Sequence, residues 1–373
     1  MPNPSQSSRL QPLDALRGLL MALMALDHTS QFVAQRHSSG EIWGGSFPVY
    51  RDPLAFVTRL VTHPCAPGFA FLMGAGMLLF ARSRETQGWT RFAIVRHFAL
   101  RGVVLIALKF LVINRAWELS PGGWGFDVYV GVLFSLGAGM ILGSLLLWLK
   151  SWQCIVLSAG LTGLVEWLTP DPSSWLRPVG LVPRLLYLPG GDSRLWVNYP
   201  ILPWLAVIAL GMAFGQWLLP DPARAFRRSL WLGMALLVVF VPLRYLNGFG
   251  NIRTRQGNDL VSFLNVVKYP PSATFLLLTL GVNLLLLAML ASVSAKHAGW
   301  LRPLLVFGRV PLFFYVTHLF LYAAMGRLLT PQGTSVTGMY PYWLLGLLLL
   351  YPLCLSYGHL RERQPAASWL RLF

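Results

Sequence analysis

The chain has 373 residues, of which 55% are hydrophobic and only 12% are charged, and its mean hydropathy is +0.57. Soluble domains carry about 25% charged residues, so this composition excludes an ordinary soluble domain and predicts an all-α, polytopic integral membrane protein. The net charge of +17 is typical of basic residues at a lipid surface. Nucleic acid is not expected as a partner, because no soluble stretch is long enough to form a binding domain.

Ten apolar stretches have the length of a membrane-spanning helix, which needs about 20 residues. They lie at 13–34, 54–81, 92–113, 127–149, 152–168, 200–219, 229–246, 272–294, 303–328 and 341–359. We expect residues 1–373 to form a single membrane-embedded domain.

Basic residues cluster in the short connections between these stretches, which alternate with long connections rich in Gly, Pro and aromatic residues. The positive-inside rule therefore predicts that both termini are cytoplasmic and that the long connections are outside. Long connections usually carry function, so we expect them to form a cap over an outward-facing pocket. They lie at 35–53, 114–126, 169–199 and 247–271.

The first stretch carries ionisable residues that a membrane helix does not usually hold. Arg17 and His28 are eleven residues apart, which places them on one helical face and roughly 16 Å apart along the axis. Asp14 lies close to the same stripe. Because ionisable groups in lipid are costly, they need partners or a function. Asp27 precedes His28, and a carboxylate can orient an imidazole and raise its basicity.

Two further histidines occur in apolar stretches. His63 begins a run with prolines at 64 and 67, which should break the helix where its backbone lines a cavity. Counting about 1.5 Å per residue from the cytoplasmic end places His28, His63 and His318 at similar depths, roughly 22–28 Å. Their structural alternative is a simple hydrogen bond to a neighbouring helix.

Four basic residues are expected closer to the cytoplasm than the histidines. The same count places Arg17 and Arg309 about 6–10 Å above the cytoplasmic edge, with Arg101 also low and Lys109 near mid-depth. Basic side chains in the cytoplasmic half of the membrane domain suit a phosphate-bearing ligand. Arg309 and Lys109 could instead extend to the membrane interface. A zinc site from Asp27 and the three histidines has no supporting ligand spacing, so no metal is expected.

Several blocks resemble one family of membrane acyltransferases. Arg17, ten further residues and His28 are similar to the Arg-x10-His signature of enzymes that acylate surface polysaccharides. The longer match is to bacterial relatives of the heparan-α-glucosaminide N-acetyltransferases. Its blocks run over residues 13–18, 27–28, 62–67, 71–74, 199–204, 263–272, 280–281 and 308–318.

The resemblance implies transfer of an acetyl group from cytosolic acetyl-CoA to an amine or hydroxyl of a sugar or glycan on the far side of a bacterial inner membrane. His28 would be the general base, oriented by Asp27 and assisted by His63. The family also has a catalytic histidine in the following loop, nearest here to His37, so His37 is the alternative base; we favour His28.

The other roles divide between the acceptor and the donor. His318 and His37 would contact the acceptor, or His63 and His318 would stabilise the oxyanion. The CoA phosphates would be held by Arg17, Arg309, Lys109 and Arg101.

A transporter or carrier of a small or lipid-linked precursor, without acyl transfer, is the alternative function. Such proteins are often built from internal repeats, and this sequence shows none. A phosphate site and a base at different depths favour the transferase. The sequence leaves the oligomeric state open, a homodimer included.

The topology can be tested with a reporter that is active only in the cytoplasm, fused after Phe373. We expect an active reporter, because the basic short connections place the C-terminus inside. An inactive reporter on normally expressed protein would contradict an even number of spans.

Overall fold

The structure, a computed structural model, describes residues 10–36, 41, 43–45, 48–50, 52–121, 123, 125–171, 179–293 and 299–365. These residues are mostly helical with almost no strand, as the composition predicts. The helices of the first half are α1 (Gln11–Thr29), α2 (Pro53–Thr62), α3 (Cys65–Glu85), α4 (Arg91–Leu108), α5 (Asn114–Glu118), α6 (Val132–Ser144), α7 (Ser151–Leu168) and α8 (Leu181–Leu186). Those of the second half are α9 (Ile201–Leu218), α10 (Pro222–Leu246), α11 (Leu260–Leu264), α12 (Ala273–Ser292), α13 (Arg302–Arg309), α14 (Pro311–Leu329) and α15 (Val336–Arg363).

Within the described residues, seven helical segments are long and apolar enough to cross a membrane. They are Pro53–Glu85, Arg91–Glu118, Ile201–Leu218, Pro222–Leu246, Ala273–Ser292, Pro311–Leu329 and Val336–Arg363. The chain is therefore a polytopic integral membrane protein. The count of ten spans and the cytoplasmic termini stay predictions.

Three of the predicted spans are interrupted. Residues predicted as the start of the fourth span form a strand, Val128–Val130, so α6 is only 13 residues long. The ninth is two helices, because Pro311 lacks the N–H needed to continue α13 and instead occupies the first turn of α14. In the second, α2 ends at Thr62 and α3 begins at Cys65, which confirms the predicted break beside His63.

The break between α2 and α3 is closed by a side chain from a distant helix. Pro64 cannot donate a helical hydrogen bond, and its own carbonyl accepts one from the Asn283 amide of α12 at 2.9 Å. The carbonyl is also reached by the Gly68 N–H at 2.9 Å. A backbone group freed in a membrane must be satisfied within the protein, so this contact fixes the position of the break.

The helices at the centre pack backbone against backbone. A Cβ added at Gly18 of α1 would collide with the Leu304 carbonyl of α13, and one added at Gly308 would collide with the Asp14 carbonyl of α1. Small residues permit such approach between membrane helices. Helices α3 and α9 are joined in the same way through Gly74 and Gly211, and both are mostly buried, whereas α4, α10 and α15 expose most of their apolar surface.

The long connections contact one another, as expected for a cap. Strand β1 (Val128–Val130) pairs in parallel with β3 (Leu195–Val197), which pairs antiparallel with β2 (Gly190–Gly191). The Trp43 N–H donates to the Tyr269 carbonyl at 2.7 Å, and the Tyr269 N–H donates to the Glu41 carbonyl at 3.1 Å. Backbone hydrogen bonds thus join the first long connection to the last, and the third to the strand β1 that follows the second. The Trp43 indole N–H also reaches the third long connection at the Pro170 carbonyl, 2.6 Å away.

The α1–α13 contact leaves no room for a methyl group. Gly308→Ala should lower the free energy of unfolding by about 1–3 kcal/mol, because it forces the two backbones apart. Gly160→Ala in α7 is the matched control: nothing lies within 4 Å of its added Cβ, so we expect no loss and a gain of up to about 1 kcal/mol. Thermal unfolding in detergent compares them; equal melting temperatures would contradict the close approach.

Candidate active site

Two histidines from distant parts of the chain meet near the C-terminal end of α1. His28 Nδ1 lies 2.7 Å from Nε2 of His318 on α14, and the two rings stack with centroids 5.0 Å apart. Trp117 packs its edge against His28 at 5.6 Å. The five residues after α1, Ser30–Ala34, form a π-helical turn, a feature often found at functional sites. The sequence predicted similar depths for these histidines, and the structure brings them into contact.

The hydrogen bonds of this pair define the tautomers of two neutral rings. His318 Nδ1 lies 2.9 Å from the Phe314 carbonyl, which can only accept, so His318 carries its proton on Nδ1. Its Nε2 must then accept a proton from His28 Nδ1. The lone pair of His28 is consequently on Nε2, the atom able to take up a further proton. His318, rather than Asp27, is the partner on the Nδ1 side of His28.

Asp27 belongs to a buried ion cluster with Arg59 of α2 and Glu41 of the outer connection. Arg59 donates to Asp27 and, through two nitrogens, to both oxygens of Glu41. Thr62 donates to the same Asp27 oxygen at 3.1 Å. Burial alone would raise the pKa of the Glu41 carboxyl, but the Arg59 guanidinium, helped by His63 and Lys268, lowers it to about 2. Glu41 is therefore ionised throughout the physiological range.

His63 is buried beside Arg59 and Glu41 of this cluster. Its Nδ1 is 2.6 Å from the Arg59 carbonyl, and its Nε2 is 3.5 Å from Glu41. The prediction that His63 borders the pocket needs correction, because the side chains that line the cavity beside the helix break are those of Thr62, Cys65 and Ala66.

An inner cavity of about 340 Å³ runs along α1 from Arg17 to Asp27 and His28. Arg101 of α4 also lines it, and Arg361 is close enough to Arg101 to interact electrostatically. The lining is mostly apolar, with Phe, Met and Leu side chains from α3, α4 and α6. Tyr199 and Lys268 line it together with Asp27 and His28.

An outer cavity of about 450 Å³ continues in the same direction, from Asp27 to Arg36. Tyr50, Asp52 and Thr58 contribute to its walls. Asp27 lines both cavities, and its ion-pair partner Arg59 lines the outer one. From Arg17 to His28 the inner cavity follows eleven residues of α1, or about 16 Å at 1.5 Å per residue, and the outer cavity extends beyond the end of α1 to Arg36.

The predicted phosphate-binding residues are only partly brought together. Arg17 donates to Asp14 at 2.7 Å and to the Gly308 carbonyl at 3.0 Å, while still lining the inner cavity. Arg309 is exposed, next to the glycine that Arg17 contacts. Lys109 does not fit the prediction: it is buried away from both cavities, donating to Asn114 and lying 4.8 Å from the Tyr129 ring.

Two other predictions cannot be placed at the site. His37 lies outside the described residues. Among those that are described, no group of three or more His, Cys, Asp or Glu side chains is placed to hold a metal ion. That no metal is needed stays a prediction.

Sequence reasoning missed Arg59, Glu41 and Lys268 as site residues. Arg59 lies in the second predicted span, so the rule that intramembrane charges need a partner could have identified it. Lys268 lies within a block that carried the family resemblance. Glu41 has no local signal, because its role depends on the fold of the outer connection.

Comparison with known proteins identifies the family of this chain. The family model for the catalytic region of heparan-alpha-glucosaminide N-acetyltransferase matches residues 9–243. The human heparan-alpha-glucosaminide N-acetyltransferase is 26% identical over 129 residues, which cover 35% of this chain and 17% of the human protein. The matched part is thus far less than two thirds of that relative. The family match itself spans more than half of the chain and includes Arg17, Asp27, His28 and Arg59, and the chain therefore belongs to the heparan-alpha-glucosaminide N-acetyltransferase catalytic family.

Proposed function

We propose that this membrane acetyltransferase moves an acetyl group from acetyl-CoA in the inner cavity to a sugar amine or hydroxyl in the outer cavity. The observation that carries the proposal is the pair of cavities in tandem along α1, which share Asp27 and have His28 beside it. Family membership favours this function over a transporter. A bacterial inner membrane, with the Arg17 end toward the cytoplasm, is the setting we propose.

The lining of the inner cavity suits the phosphopantetheine part of acetyl-CoA, because it combines basic side chains with a long apolar section. The basic side chains of Arg17 and Arg101, with Arg309 nearby, would bind the phosphates. The long apolar middle section would hold the pantetheine arm. The thioester would then lie near His28, about 16 Å further along α1. Lys109 is no longer assigned a part in phosphate binding, because it is buried outside this cavity.

The outer cavity would hold the acceptor. The human relative is named for acetylating the amine of an α-glucosaminide, and by analogy we propose a sugar amine or hydroxyl here. Asp27 stands where the two cavities meet, so it would contact the acceptor group and lead it toward the thioester. A volume of about 450 Å³ is within the range of small-molecule sites.

His28 would act as the base in the transfer step. Its Nε2 takes the proton of the attacking amine or hydroxyl as the new bond to the carbonyl carbon forms. The resulting imidazolium is stabilised by its Nδ1–H bond to His318, which becomes charge-assisted. When the carbon–sulfur bond breaks, His28 returns the proton to the CoA thiolate.

The proposal predicts that two substitutions in α1 have different effects. His28→Ala should leave CoA affinity nearly unchanged and reduce transfer by about 10²–10⁴-fold, because a general base is lost. Arg17→Ala should weaken CoA binding by about 1.5–3 kcal/mol if a charged hydrogen bond to phosphate is lost. Calorimetry of CoA binding and a radiolabelled transfer assay with an amino-sugar acceptor measure the two effects.

Asp14→Ala is the control for a structural role of Arg17, since the two side chains are ion-paired. Equal damage by both substitutions, with CoA affinity falling only as folded protein is lost, would remove Arg17 from the donor site. Normal turnover in His28→Ala would move the base to His37 or His63.

The ion pair between the cavities predicts a second outcome. Arg59→Met should destabilise the protein by about 3–5 kcal/mol, because it leaves buried carboxylates without their partner. In the folded fraction, water from the outer cavity should reach the thioester, so CoA release without acceptor should rise relative to transfer. Arg59→Lys keeps the charge but not the two-pronged contact and should fall between. An unchanged ratio of hydrolysis to transfer in both variants would contradict the proposal that this ion pair keeps water of the outer cavity away from the thioester.

A further inference from the structure

Acyl transfer also requires a donor for the oxygen that becomes negative when the carbonyl is attacked. The histidines suggested for this role are already used. His318 donates its one ring N–H to Phe314 and accepts from His28. His63 donates to the Arg59 carbonyl and lies outside the inner cavity. The donor must come from another side chain that lines the cavity near His28.

Lys268 fits this requirement. It is only 4% exposed, and it lines the inner cavity together with Asp27 and His28. Its ammonium lies 5.0 Å from the ring of Tyr269 and 5.8 Å from that of Tyr199. The two phenols are hydrogen-bonded to each other at 3.1 Å. Aromatic faces stabilise a cation without taking up its N–H groups as an ion pair would.

The charged groups around Lys268 are already engaged with one another. Asp27 and Glu41 are both bound by Arg59. Glu41, His63, Cys65 and Tyr199 have Lys268 in their electrostatic surroundings. Arg59 thus makes the direct ion pairs with both nearby carboxylates, and the Lys268 ammonium balances their second negative charge while it lines the cavity as a donor.

The backbone on both sides of Lys268 is held in place. Tyr269 exchanges backbone hydrogen bonds with Glu41 and Trp43 of the first outer connection. On the other side, the buried Arg244 donates to the carbonyls of Phe263 and Asn265 at 2.9 and 2.6 Å. A donor fixed before the reaction stabilises a developing charge better than one that must be reoriented.

We propose that the Lys268 ammonium binds the thioester carbonyl oxygen of the acyl donor and stabilises the oxyanion of the tetrahedral intermediate. This inference rests on the proposed function. As the acceptor nitrogen or oxygen bonds to the carbonyl carbon, the carbonyl π electrons move onto the oxygen that Lys268 contacts. They return when the carbon–sulfur bond breaks, so Lys268 keeps all its protons.

Infrared difference spectroscopy of acetyl-CoA labelled with ¹³C at the carbonyl tests this contact directly. Bound to the wild-type protein, the carbonyl band should shift to lower wavenumber, because a charged donor polarises the bond. In Lys268→Met the shift should be lost and kcat should fall by about 10²–10³-fold. The dissociation constant for acetyl-CoA should change by less than about threefold. Lys268→Arg should keep much of the shift, since it keeps a charged donor.

Lys109→Met is the matched control, because Lys109 is the other lysine buried in the described residues and also lies over a tyrosine ring, but outside the cavity. It should lower the melting temperature without moving the carbonyl band. A shifted band that persists in Lys268→Met would overturn the inference. So would an unshifted band on the wild-type protein, which tests the contact even if that variant does not fold. Failure of the wild-type protein to bind acetyl-CoA would instead overturn the proposed function, and the inference with it.

Discussion

The buried ion cluster of Asp27, Arg59 and Glu41 is the interaction on which the site depends. It joins α1, α2 and the long connection that lies between them in sequence. Charges removed from water are costly unless each is paired and hydrogen-bonded. One guanidinium with several donors can satisfy two carboxylates at once. The break after Thr62 positions α2 so that Arg59 reaches both carboxylates. Pro64 and Pro67 therefore contribute to the ion cluster as well as to the opening of the helix beside the cavity.

The histidine pair completes the arrangement from the other side of α1. Asp27 and His28 are adjacent in sequence but point to different partners, α2 and α14. Their separation explains how one helix can serve both a structural ion pair and a proton-accepting ring. The close contact between α1 and α13 fixes the N-terminal part of the same helix, which carries Arg17. The residues at both ends of the inner cavity, Arg17 and His28, are therefore positioned by α1.

The sequence predicted those features of the fold that hydropathy alone determines. Of the site, it predicted only the relation between residues that lie on the same helix. Composition predicted a helical membrane protein, and helical spacing predicted that Arg17 and His28 line one face. The strand at Val128–Val130 was missed because its pairing partner is β3, more than sixty residues away. Lys109 was misplaced because depth along a helix does not say which way a side chain points. The contact between His28 and His318 follows only from the packing of α1 against α14.

The position of Asp27 and Arg59 where the two cavities meet has an electrical consequence for the proposed reaction. A charge that crosses the membrane potential does about 2.3 kcal/mol of work per 100 mV. In the proposed reaction the acetyl group, counted as an acylium cation, carries one positive charge outward to the acceptor. The proton that it replaces there carries one positive charge inward to the CoA thiolate. The two movements cancel. Turnover on a neutral acceptor would therefore be electroneutral, and a cell could acetylate its outer glycans without drawing on its membrane potential.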